Sequence, residues 1–82
     1  MKSLEQLQRE LTEELSIILG AEIGLEDNLI EAGLDSFAIM QTIAFLEDSY
    51  GIELADDILQ FENFESVKLM LRWAFPLIQA CD

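Results

Sequence analysis

The 82 residues suit one domain, above the roughly 40 below which chains usually need disulfides or metals to fold, and 51% of them are hydrophobic, enough for a small core. Seventeen acids against four bases give a net charge of -13 with no histidine; the field disfavours nucleic acid and anionic membrane as partners, and no Ser-His-Asp or Cys-His nucleophile can be built within the chain. The one cysteine, Cys81, can neither close an internal disulfide nor supply a Cys-x-x-Cys metal pair.

Residues 1–10 lack the apolar stretch of a leader, and no run approaches the roughly 20 apolar residues of a membrane span. A cytoplasmic, soluble protein is the expectation. Between Arg9 and Lys68 there is no Lys or Arg at all, while 15 acids from Glu10 to Glu65 make a one-sign surface suited to a partner rich in Lys and Arg. An EF-hand does not account for them. With Gly20, Gly24, Gly33 or Gly51 at the sixth loop position, the first would be Leu15, Leu19, Asn28 or Leu46, and none continues the oxygen-ligand pattern. No metal site is expected.

Ser3 with Gln6 has capping-box spacing, and Leu4, Leu7, Leu11, Leu15 and Ile18 follow at helical steps, predicting a first amphipathic helix that ends at Gly20. A long connection with Gly24, Asp27-Asn28 and Gly33 comes next, which Ile23, Leu25, Leu29, Ile30 and Leu34 would anchor on the core. The second helix is expected from Asp35-Ser36 to about Tyr50, closed by Gly51. It carries two apolar rows: Ile39, Ile43, Leu46 and Tyr50 toward the core, and Phe37, Met40 and Ala44 on another side, either covered by the long connection or left for docking.

Asp56 to Gln60 reads as one or two helical turns. The last helix begins between Phe64 and Ser66, with Val67, Met70, Leu71, Trp73 and Ala74 at helical spacing, and Pro76 should end or kink it at about Phe75. The expected fold is all-α, a small four-helix bundle with a long loop between helices one and two and a short third helix. Residues 1–75 form the domain and 76–82 a tail.

Ser36 stands apart among the five serines. It follows Gly33-Leu34-Asp35 at the end of the long loop and opens the helix with two apolar faces. The free N–H groups and positive end of that helix would favour a phosphate ester on its hydroxyl, although Asp-Ser before an apolar run also suits a plain helix cap. The run Asp27-Asn28-Leu29-Ile30-Glu31-Ala32-Gly33-Leu34-Asp35-Ser36 resembles the acyl carrier protein and phosphopantetheine-binding family, whose hallmark is Gly-x-Asp-Ser. The likeness continues through Phe45-Leu46-Glu47-Asp48-Ser49-Tyr50-Gly51-Ile52-Glu53-Leu54 and Phe64-Glu65-Ser66-Val67, covering about residues 1–75.

The resemblance implies a freestanding acyl or aminoacyl carrier, a monomer and not an enzyme. A phosphopantetheinyl transferase would attach 4'-phosphopantetheine from coenzyme A to Ser36, next to Asp35. The cargo would then ride as a thioester, supplied by an acyl- or aminoacyl-loading ligase and used by downstream acyl-processing enzymes. The first half of the second helix carries no acid, unlike carriers of fatty acid synthesis. This tilts the reading toward an aminoacyl or secondary-metabolic carrier that docks through Phe37, Met40 and Ala44, framed by Glu47, Asp48, Asp56 and Asp57. The alternative is a small acidic helical inhibitor or adaptor that uses the same charge against a basic partner and gives Ser36 no role.

Overall fold

The computed structural model describes residues 3–80, which fold as three α-helices and two single 3-10 turns, with no strand among the described residues. Helix α1 spans Leu4–Leu19, α2 Ser36–Tyr50 and α3 Val67–Ala80; the 3-10 turns are Asp56–Ile58 and Phe61–Phe64. No helix is long and apolar enough to cross a membrane. Cys81 lies outside the described residues.

The chemistry expected at the helix ends is present. Ser3 Oγ accepts the Gln6 N–H at 3.1 Å at the start of α1, and Ser66 Oγ accepts the Leu69 N–H at 3.1 Å at the start of α3. Gly20 and Gly51 close α1 and α2 in the left-handed conformation, at φ 66° and 67°.

Helix α1 packs against both α2 and α3. Its Leu7, Leu11 and Leu15 stripe is fully buried, with Ile39 and Leu46 of α2, Val67, Met70, Ala74 and Ile78 of α3, and Phe64 from the second 3-10 turn around it. Phe64 meets the edge of Trp73 at a ring-centre distance of 5.3 Å, and the indole N–H donates to the Asn63 carbonyl at 2.9 Å. Among the described residues one polar side chain, Thr42, sits wholly inside, its hydroxyl satisfied by the Ala38 carbonyl at 2.9 Å.

Two expectations need correction and a third is met in part. The helical turn expected at Asp56 to Gln60 is present as the 3-10 turn Asp56–Ile58, but no fourth α-helix forms among the described residues: Leu59 leaves helical geometry at ψ 57° and the Asn63 side chain donates to the Ile58 carbonyl at 2.9 Å. Pro76 does not end the last helix, which runs on to Ala80. A proline fits helical φ and forfeits one bond to the fourth residue back, while Ile78, two residues further on, is buried in the core and holds the segment down. Ile30, expected as an anchor of the first connection, is exposed, whereas Ile23, Leu29 and Leu34 are buried.

Candidate functional site

The site is built where the first connection enters α2. Leu29 and Leu34 plug the core, and the Leu34 N–H donates to the Leu29 carbonyl at 2.9 Å, closing a tight loop around Gly33. Gly33 has φ 113°, a region that side-chain-bearing residues rarely adopt. This turn delivers Asp35 and Ser36 to the surface in an order that separates their roles. Asp35 is the N-cap: its Oδ1 accepts the Ala38 N–H at 2.9 Å, and its carbonyl accepts the Ile39 N–H at 2.9 Å. Ser36 is the first helical residue, exposed, and its hydroxyl makes no hydrogen bond among the described residues.

Capping is therefore complete without Ser36. The helix offers no acceptor to the amides of Ser36 and Phe37, so the positive end of α2 faces the free hydroxyl. A phosphodiester at that oxygen would sit in water, beside donors that suit its charge, with no side chain to displace. The residues present fit an attached phosphate-linked group.

Beside Ser36 lies a groove of about 190 Å³ lined by Ser36, Ile39, Met40, Ile43, Leu59 and Phe61. One wall is the flank of α2 and the other is Leu59, between the two 3-10 turns, with Phe61, which opens the second. Leu59 and Phe61 were not marked by the sequence reading. Their signal was an apolar pair in Ile58-Leu59-Gln60-Phe61 that fits no helical period, which a search for amphipathic stripes passes over.

Of the expected docking residues, Phe37 and Met40 are 69% and 67% exposed, and Ala44 is exposed as well, so the second apolar row of α2 is uncovered. The long connection does not bury it. Met40 joins Ser36 in the groove; Phe37 and Ala44 do not line it. The acids are not brought into the groove either. Asp48, Asp56 and Asp57 are exposed, and Glu47 is half-buried, its Oε2 accepting the Leu54 N–H at 3.1 Å. Glu47 thereby pins the start of the second connection to the end of α2. Among the described residues no three His, Cys, Asp or Glu side chains cluster in a way that could hold a metal ion.

Residues 5–74 match the family model described as phosphopantetheine attachment site. No curated protein and no solved structure matches the chain.

Proposed function

The chain belongs to the phosphopantetheine attachment site family, and from that premise we propose that Ser36 is its attachment residue and that the protein carries acyl or aminoacyl groups for other enzymes. Members of this family carry covalently attached 4'-phosphopantetheine and act as carrier domains that meet a phosphopantetheinyl transferase and acyl-processing enzymes. When bound, the group supplies a thiol on which cargo is held as a thioester.

The observation that carries the reading is the free, exposed Ser36 hydroxyl at the N-terminus of a helix already capped by Asp35. Ser36 Oγ forms the new bond to phosphorus, the phosphoanhydride of coenzyme A breaks, and the nucleotide half departs with the other phosphate. The hydroxyl proton goes to a base of the transferase; this chain has no histidine, and Asp35 Oδ1 already accepts the Ala38 N–H. The chain's own part is to hold Ser36 rigidly outward, to set the α2 amides beside the ester, and to offer an apolar resting place in the adjoining groove. Catalysis lies with the partners.

Phe37 and Met40 supply an apolar docking face on the half of α2 that bears no acid, with Asp48, Asp56 and Asp57 as a charged frame. That pattern supports an aminoacyl or secondary-metabolic carrier over one of fatty acid synthesis, loaded by an acyl- or aminoacyl-activating ligase. The family match does not favour an acidic inhibitor, which would leave the free Ser36 and its groove without a use.

Incubation with coenzyme A and a broad-specificity transferase is expected to add one phosphopantetheinyl group, read by intact mass and located by fragmentation. Ser36→Ala is expected to abolish the addition. Modification at another serine would overturn the assignment.

A further inference from the structure

We propose that a second groove, between α1 and α3, binds a monoanionic amphiphile of the medium-chain carboxylate class. The groove has a volume of about 410 Å³, within the range of small-molecule sites, and is walled by Leu4, Leu25, Leu71, Phe75 and Pro76. It shares no residue with the groove beside Ser36. With a methylene filling roughly the 30 Å³ of a water molecule, a chain of about ten carbons fits.

Charge complementarity selects the occupant. The chain has four bases in all, and two of them, Lys68 and Arg72, stand one helical turn apart on the rim of this apolar groove. The Arg72 side chain has no ion pair or hydrogen bond among the described residues. Lys68 has one long, exposed pair with Glu26 at 3.7 Å. The same two cations border an adjoining depression that contains Glu26 and Glu65, so a polyanionic partner would meet two carboxylates, whereas a single carboxylate at Arg72 and Lys68 has only the long Lys68–Glu26 pair to displace. The wall is also fixed in advance: the Lys68 N–H donates to the Leu25 carbonyl at 3.0 Å, joining the loop to the start of α3.

The test uses the full chain as Ser36→Ala, which keeps it unmodified, so its failure leaves the carrier reading untouched. Isotope-labelled protein is titrated with decanoate below micelle-forming concentration. Saturable shifts are expected at the amides of Leu25, Leu71 and Phe75, with butyrate and decanol binding more weakly. Arg72→Gln should weaken decanoate about five-fold, the upper size of an exposed charged contact, and Leu4→Gln, at an exposed position, should weaken it without unfolding the protein. Equal binding of decanol, shifts centred on Met40 and Phe61, or insensitivity to Arg72→Gln would overturn the proposal. So would shifts at the same amides produced by raising protein concentration alone, which would make a second copy the occupant.

Discussion

The two long connections of this chain are built on opposite principles. Residues 21–35 are tied to the core along their length: Ile23, Leu29 and Leu34 are buried, the Leu29 N–H donates to the Glu65 carbonyl at 2.7 Å, and Asp27 and Asn28 close local turns onto the amides of Gly24 and Glu31. Residues 51–66 bury Ile52 and Phe64 near their ends, with Leu54 and Ile58 only partly buried against the core between them, while Leu59 and Phe61 stay exposed and the backbone–backbone bonds there are short-range. The first connection sets the position of Ser36. The second forms one wall of the groove beside it, and with few buried apolar contacts it belongs to the low end of local stability. A carrier needs both: a fixed attachment point, and a wall that can adapt to what is attached.

The largest effect that would break this contrast lies in the first connection. Leu29→Ala is expected to cost about 3 kcal/mol, the middle of the range for truncating a fully buried leucine, read as a lower urea midpoint with unchanged slope. A loss under 1 kcal/mol would mean that the connection is not part of the core. Next comes the cap at its end: Asp35→Ala should cost about 1 kcal/mol, and Asp35→Asn much less, because an amide oxygen can still accept the Ala38 N–H. If both variants lose the same amount, charge at the helix end and not the cap is what Asp35 contributes.

Much of the fixed half was legible beforehand. The α1 stripe, the Gly20 and Gly51 ends, the serine starts and the Gly33-Leu34-Asp35-Ser36 entry all rest on local chemistry within a few residues, which spacing exposes directly. The adaptable half was less legible. A 3-10 turn of three or four residues has no period long enough to detect, and Leu59 and Phe61 gain their meaning only from α2 across the groove. Thr42 and Ala38 were passed over in α2 because a small residue and a hydroxyl do not look like core; both are buried, the Ala38 carbonyl satisfying Thr42. For Ser36 the sequence alone leaves a cap role open, and the structure gives that role to Asp35.

A smaller effect marks the junction between α2 and the second connection. The Tyr50 hydroxyl donates to Glu10 Oε1 at 2.6 Å, joining the end of α2 to α1. Burial, then the hydrogen bond and negative charge of Glu10, push the phenol well above its ordinary value of 10.0. The folded state therefore keeps a proton that the unfolded chain gives up above about pH 10. Stability from this group is intact below that pH and falls as pH rises beyond it. Tyr50→Phe should cost about 1 kcal/mol at neutral pH and show a shallower alkaline decline in denaturation midpoint than the parent. An identical alkaline slope would place the titration elsewhere.

The smallest expected change in stability tests the adaptable wall itself. Phe37→Ala and Phe61→Ala remove exposed rings, and each should alter stability by no more than about 0.5 kcal/mol. Their consequences should then divide. Phe37 stands outside the groove, on the uncovered row of α2, so its loss should slow modification by the transferase and cargo loading through weaker docking. Phe61 lines the groove, so its loss should leave modification near the parent rate and raise the exposure of a bound thioester, read as faster hydrolysis of loaded cargo. Slow modification in both variants would join the two residues into one docking face. A core-sized loss of 3 kcal/mol or more for Phe61→Ala would show that the second connection is anchored as firmly as the first, and the contrast between them would fall.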